Sequence, residues 1–319
     1  MSLTVALQMD PIESVDIDGD STFALGLEAQ KRGHHLYHYD VNDLSFQDGI
    51  VTAYARPLTL RRERGNHFSF GPEAKIDLGA DIDVVLMRQD PPFHMGYITA
   101  THILEHIKDR TLIVNDPVSV RNAPEKIFLT RFPDLMPPTL ITRSKRDAAQ
   151  FRAEYKDIIV KPLYGNGGVG VFRIRQDDQN LNSLIEMFQE TYPEAFIVQK
   201  FLPEVIMGDK RIILVDGHAA GAINRVPLEG EVRSNMHVGG EAQKTELTDR
   251  EIEICQAIGP TLRELGLLFA GIDVIGNYLT EINVTSPTGL QEIYRFDGTD
   301  ITKTLWDAIE KKRLLNEVC

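Results

Sequence analysis

The most constraining stretch of the chain is Gly165-Asn166-Gly167-Gly168-Val169-Gly170, set between the apolar runs DIIVKPL at 157–163 and VFRIR at 171–175. Spelled out, it is a G-x-G-x-x-G, but a dinucleotide-binding fingerprint leads from a strand into a helix. Here Val171, Arg173 and Arg175 alternate with Phe172 and Ile174, the two-residue period of a strand. Strand, glycine loop, strand is a flap. Without Cβ atoms its backbone N–H groups can close on phosphate oxygens. A P-loop is excluded, because no Lys-Ser or Lys-Thr follows the glycines. Lys161 stands inside the strand ahead of the flap, after Ile158, Ile159 and Val160, where a cation is costly unless an anion meets it.

A second constellation lies downstream. FAGIDVIG (269–276) and NYLTEINV (277–284) read as two strands about a turn at Gly276-Asn277. Glu281 and Asn283 are two apart and share a face. Whether Asp273 joins them depends on register. A two-residue turn pairs Asp273 with Thr280, whereas a three-residue loop over 276–278 pairs Asp273 with Glu281 and Gly271 with Asn283. The second register is expected. It collects two carboxylates and an amide oxygen, hard ligands suited to Mg2+ held jointly with ATP phosphates. Asp and Asn are depleted in strands, yet both stand here in strongly apolar runs.

With 319 residues the chain is long enough for two domains or three small ones. Residues 3–9, 36–40, 82–87 and 111–114 read as strands, with helices over 21–32, capped by Asp20 or Ser21 and closed by Gly33, and over 97–108. That alternation predicts a mostly parallel, helix-covered sheet ending in the turn-rich stretch 115–126. A second unit places helices near 144–155 and 180–191 around the flap strands and a strand at 195–201. A third has strands at 210–217, 269–275 and 279–284, a helix at 248–265 and another from about Ile301. Residues 227–241 show no period, and a long unstructured connection in a compact domain is often a lid.

The charge balance, 34 Lys plus Arg against 47 Asp plus Glu, is −13 and argues against nucleic-acid or polybasic membrane binding. No apolar run approaches the ~18 residues of a spanning helix. The start MSLTVALQMDP lacks the basic residues of a secretory signal, and a soluble cytoplasmic protein is expected. Cys255 and Cys319 give neither a disulfide framework nor metal spacing. His102 and His106, four apart, lack a readable third ligand, and Arg61-Arg62-Glu63-Arg64 reads as a solvated turn.

Lys126, Lys161 with the flap, Gln199-Lys200-Phe201-Leu202, and Asp273 with Glu281-x-Asn283 together resemble the ATP-grasp carboxylate–amine ligases. Over essentially the whole chain the likeness is to the prokaryotic glutathione synthetase family. It is carried in order by MDPI at 9–12, STFALGLEAQKRG at 21–33, LMRQDPPF at 86–93, EKIF at 125–128, GDKRIILVDG at 208–217 and LTEINVTSPTG at 279–289. Gln89, Tyr164 and Asn166 depart from the family pattern. The resemblance implies an α/β fold: an N-terminal parallel α/β (pre-ATP-grasp) domain over 1–122, then a two-part ATP-grasp fold with a small lid subdomain at 123–201 and a catalytic subdomain at 202–319.

The resemblance further implies ATP-dependent joining of γ-glutamylcysteine to glycine through an acyl phosphate, with Mg2+ or Mn2+ and a homotetrameric assembly. Lys126, Lys161 and the flap glycines Gly165, Gly167, Gly168 and Gly170 would hold phosphates. Gln199, Lys200, Phe201 and Leu202 would meet adenine through their backbone, and Asp209 the ribose. Asp273, Glu281 and Asn283 would hold the metal. Arg211 and Arg233 would act in catalysis. Arg88, at the C-terminal end of strand 82–87 where open α/β sheets bind ligands, would meet substrate, as would Arg225, Asn235, Gly239 and Gly240. Two alternatives share these ATP-binding residues: another ATP-grasp ligase of D-alanine or glutamate ligase type, and a non-catalytic ATP-binding regulatory protein. MDPI and LMRQDPP speak against the former, and the intact Lys126, Lys161, Arg211, Asp273, Glu281 and Asn283 against the latter.

Overall fold

Three sheets follow one another along the chain in a computed structural model that describes residues 2–228 and 240–318, with side chains through 315. The first contains β1 (Thr4–Gln8), β2 (His35–Tyr39), β3 (Leu44–Gln47), β4 (Ile50–Leu60), β5 (Phe68–Phe70), β6 (Ala74–Asp77), β7 (Val84–Met87) and β8 (Leu112–Val114). Its order is β3-β4-β2-β1-β7-β8, with β5 and β6 also paired to β4. β1 runs parallel to β2 and β7, and β7 parallel to β8, which is the expected parallel core. The antiparallel strands between residues 44 and 77 were not expected. In β4 the buried positions run 51, 53, 55 and then 58, 60, so the alternation slips by one at Arg56-Pro57 and hides the strand from a period-two reading.

Helix α1 (Ser21–Lys31) starts where Asp20 Oδ1 accepts from Phe23 N at 2.6 Å. Helix α2 (Met95–Glu105) is capped by His94. The stretch 115–126 is not all turn. It holds α3 (Pro117–Asn122), capped by Asp116, with Pro117 in the first turn, where its missing N–H costs nothing.

The second sheet is antiparallel and formed by β9 (Thr139–Thr142), β10 (Ile158–Pro162), β11 (Phe172–Ile174) and β12 (Phe196–Lys200), in the order β11-β10-β12-β9. Helices α4 (Lys145–Tyr155) and α5 (Leu181–Thr191) belong to the same unit. Its core, built on Ile158, Val160, Ile185, Phe188, Phe196 and Val198, is separate from the rest of the molecule.

The third sheet has β13 (Asp209–Val215), β14 (His218–Val226), β15 (Glu241–Lys244), β16 (Phe269–Ile275) and β17 (Tyr278–Asn283), in the order β15-β14-β13-β16-β17. Helix α6 (Asp249–Glu264) opens with a capping box between Thr248 and Glu251. Its Ile254, Ile258 and Leu262 cluster with Ile212, Leu214, Ile272 and Val274 on one face of the sheet. On the other face Ile213, Val215, Ile223 and Phe269 join Leu25 of α1 and Trp306 in a core common to the first and third units. Helices α7 (Leu290–Asp297) and α8 (Ile301–Val318) close that core, and Trp306 Nε1 donates to Leu25 O at 2.9 Å.

Asn115 ties the two units at the sheet ends. Its Nδ2 donates to the carbonyls of Phe269 and Val284, both at 2.7 Å, and its Oδ1 accepts from Phe269 N at 2.8 Å. The side chain is 3% exposed, so no water replaces it. Asn115→Ala leaves a buried N–H and two carbonyls short of a partner and should lower the unfolding free energy by about 3 kcal/mol in urea titration.

Candidate active site

The third sheet brings its charged positions to one face by register alone. Asp209 stands opposite Arg225, Arg211 opposite Asp273, Asp273 opposite Glu281, and Gly271 opposite Asn283. The β16–β17 pairing is the expected one, but its origin differs. Ile275 pairs with Tyr278 and Val274 with Leu279, so the turn is only Gly276-Asn277, and the extra residue is lodged at Thr280 as a bulge. Thr280 Oγ1 donates to Asp273 O at 3.0 Å. A bulge re-aims the side chains beyond it, and Glu281 and Asn283 follow this one.

Asp273 is buried between two guanidinium groups. Arg211 Nη2 donates to it at 2.9 Å, Arg211 Nε lies on its other oxygen, and Arg225 Nη2 stands 3.0 Å away. Arg225 Nη2 also donates to Asp209 Oδ2 at 2.6 Å. Burial alone would raise the Asp273 pKa, but Arg211 and Arg225 outweigh it and hold the carboxyl well below the usual range. Burial likewise disfavours the Arg225 charge, and Asp209 and Asp273 more than restore it.

Two lysines face Glu281. Lys126 Nζ lies 3.5 Å from Glu281 Oε1, touches the Glu125 carboxylate and donates to Gly165 O at 2.5 Å. Lys161, on β10, is 3.9 Å from the same Glu281 oxygen. Their shifts are opposite. Burial would lower Lys126, but Glu281 and Glu125 keep it above the ordinary lysine range; burial lowers Lys161, which has no comparable carboxylate against it. Burial and the Glu281 charge raise Glu125.

These groups line a cleft of about 830 Å3 between the three units. The flap backbone at Gly165, Gly167 and Gly168 forms one wall, with Gly167 and Gly168 at φ +63° and +75°, which only glycine adopts without strain. Gly170 lies off the lining. Gln199, Lys200, Phe201 and Leu202 line the cleft beside it, but Lys200 N and Phe201 N already donate to the carbonyls of Pro138 and Asp157. Those two amides are therefore taken within the protein and are not open to the strand-like reading expected of the whole segment. The Gln199 side chain donates to Thr139 Oγ1 at 2.8 Å.

Arg88 comes from the opposite wall, past the end of β7. Its Nε donates to Thr22 Oγ1 and its Nη2 to Pro287 O, both at 3.0 Å, while Nη1 is buried with no hydrogen-bond partner. A guanidinium pinned on two sides with one nitrogen left over suits an arriving carboxylate. Gln89 points away from the cleft into the first unit, where Gln8 donates to it and accepts from Tyr39 OH at 2.9 Å. Arg233, Asn235 and Gly239 lie outside the described residues, as does Cys319, and Gly240, though described, does not line the cleft. Cys255 is core, its thiol pushed up by burial to about 11.

Several lining residues escaped the sequence reading, among them Glu125, Asp10, Asp20 and Ser286. Glu125 adjoins Lys126, and Asp10 and Asp20 sit in the MDPI and acidic segments, so the only signal available was proximity to residues already chosen. No group of three His, Cys, Asp or Glu side chains forms a metal cluster among the described residues. The oxygens facing the cleft still fit a hard divalent ion. Glu281 is partly exposed there, and Asn283, two residues on, lines the same cleft. Asp273, by contrast, has both oxygens on arginines. Four buried cations beside a glycine flap and two inward oxygen ligands can hold a polyphosphate with its metal and neutralise charge during group transfer.

The family model for the prokaryotic glutathione synthetase N-terminal domain matches residues 3–121, and that for the prokaryotic glutathione synthetase ATP-grasp domain matches residues 125–298. The chain is 59% identical to a glutathione synthetase of Mesorhizobium japonicum, over 98% of its own length and 100% of the relative's. It is 58% identical to that of Brucella melitensis, with the same coverage. Among solved structures, a D-cycloserine synthetase superposes with a TM-score of 0.67 over 97% of this chain and 99% of that one, at 15% identity, a likeness of fold alone. No helix among the described residues is long and apolar enough to cross a membrane.

Proposed function

The chain belongs to the prokaryotic glutathione synthetase family, and from that premise we propose how its cleft residues divide the work. It is an ATP-dependent ligase that makes glutathione from γ-glutamylcysteine and glycine, giving ADP and phosphate. The observation that carries the residue assignment is the convergence of Lys126, Lys161, Arg211 and Arg225 on Asp273 and Glu281 at one face of the third sheet.

Lys126 and Lys161 exchange Glu281 for the ATP phosphates, and the flap at 165–170 covers the terminal one. Residues 199–202 flank the base, and Asp209 is placed for the ribose. Glu281 and Asn283 would hold Mg2+ or Mn2+, with Asp273, still held by Arg211 and Arg225, the third carboxylate or amide side chain beside it. Bound there, a divalent ion would neutralise charge on the transferring phosphoryl group. Arg88 grips a carboxylate of the peptide. A carboxylate is a poor acylating agent, so its oxygen first takes the terminal phosphoryl group with release of ADP. The glycine amine then attacks the acyl phosphate carbon, phosphate leaves, and the amine proton is lost to solvent. Arg211 faces the oxyanion of that addition, and Arg225 holds Asp273 and so the position of Arg211. Arg233, Asn235 and the Gly239-Gly240 pair belong, on the sequence, to a loop that keeps water from the acyl phosphate.

Gly271 fits this placement. A Cβ there would stand 2.9 Å from Pro287 Cβ and 3.2 Å from Arg211 Cδ, so only glycine lets the Arg211 stem cross the strand. Gly271→Ala should cut kcat by about tenfold or more while leaving ATP affinity within about twofold, read by steady-state kinetics and calorimetry.

ADP release with ATP, Mg2+, γ-glutamylcysteine and glycine, each omitted in turn, tests the reaction. Release should require the dipeptide and the metal, and full turnover should require glycine; turnover on D-alanine alone would overturn the substrate assignment. Glu281→Gln, equal in size and short of one charge, should lower turnover by about a hundredfold or more with unchanged circular dichroism. Near-normal activity would remove Glu281 from the metal set.

A further inference from the structure

The second unit has a core of its own, and among the described residues no hydrogen bond or ion pair joins residues 139–201 to residues 2–122. What joins them directly is a ring contact. Tyr164, the residue before the flap's first glycine, stacks on Phe93 of the first unit, with centroids 6.4 Å apart and planes at 22°. Phe93 in turn lies 5.3 Å from the ring of the buried Tyr97 in α2. Phe93 ends the segment Arg88-Gln89-Asp90-Pro91-Pro92-Phe93, in which two prolines fix successive φ angles and stiffen the chain. That segment therefore carries the cleft's carboxylate-gripping Arg88 at one end and the flap's aromatic partner at the other.

On the flap side the linkage is equally short. Gly165 O receives the Lys126 ammonium at 2.5 Å, and a Cβ on Gly165 would meet Pro162 Cγ at 2.5 Å, so the flap's first residue has little freedom to shift against β10. A void of about 20 Å3 beside the two rings, room for one water, separates the three units at this point. Phe93 is held on the core side by Tyr97, and the void leaves space on the Tyr164 side of the pair.

We propose that Tyr164 is a positioning residue which, through Phe93, couples closure of the glycine flap over ATP to occupancy of the peptide side of the cleft at Arg88. The inference rests on the assignment of the flap to ATP and of Arg88 to the peptide. When the peptide carboxylate draws on Arg88, the stiff segment holds Phe93 against Tyr164, and the flap stays down on the nucleotide. Each ligand therefore tightens the other by the same factor.

The test is calorimetric titration of the full chain with a non-hydrolysable ATP analogue and Mg2+, with and without γ-glutamylcysteine. The unaltered chain should bind the analogue more tightly when the dipeptide is present. Tyr164→Ala and Phe93→Ala should each reduce that enhancement by about three- to tenfold, the range of one aromatic pair. Tyr164→Phe should keep it, and the double alanine variant should lose no more than the worse single one. Melting temperatures within about 3 °C of the unaltered chain would show that the fold is kept. Dipeptide binding without any enhancement, enhancement that survives both alanine variants, or an equal loss of analogue affinity with and without dipeptide would overturn the coupling. Failure of the dipeptide to bind the unaltered chain would overturn the substrate assignment, and the coupling with it.

Discussion

Asp273 between Arg211 and Arg225 is the interaction on which the cleft is built. A lone carboxylate in that position would be several kcal/mol too costly to keep ionised, and so would either arginine without it. Each is tolerable only because antiparallel pairing of β13, β14 and β16 sets the three opposite one another. The charged group is thus a condition on register. A slip of one residue in any of these strands would turn its charges into the apolar layer against α6 and its Ile and Val residues into the cleft. The bulge at Thr280 extends the same condition to β17, bringing Glu281 across from Asp273.

The acidic balance of the chain takes on a local meaning beside this group. Lys126, Arg211 and Arg225 are each met closely by carboxylates, and Lys161 more distantly by Glu281. Protein anions therefore hold the cations in place. A ligand that replaces those anions gains prearranged donors, and loses only the difference between two sets of ion pairs. Net charge says nothing of this, because it sums the solvated surface with the buried group.

Much of the architecture was legible in the pattern of the chain, and what was not has identifiable physical causes. The flap was readable because the two-residue period at 171–175, directly after the glycines, leaves no room for a helix there. The β16–β17 pairing was readable as well, but not its origin. One extra residue yields the same pairing whether it widens the turn or bulges the strand, and hydrophobic pattern does not distinguish the two. The strands between 44 and 77 were hidden by the slip at Pro57. Arg225 could not be given a definite partner because β14, reading HAAGAINRV, is dominated by small residues with weak strand preference and does not announce itself. Its partners Asp209 and Asp273 are fixed only when three strands are laid side by side. Glu125 shows the remaining limit: a side chain beside a recognised lysine becomes part of a site only when the fold turns both the same way.

Trp306 on Leu25 joins residues 281 apart in sequence. While a chain is being synthesised, β1 and α1 emerge early, yet the indole that covers them appears only with α8. Until then the face of α1 that α8 covers has no lid, and among the described residues Asn115 alone ties the first unit to the end of β16, by hydrogen bonds to Phe269. The separately cored second unit needs no such distant partner, so it can fold ahead of the core that α8 closes. The core shared by the first and third units thus depends on a contact between segments far apart in the chain.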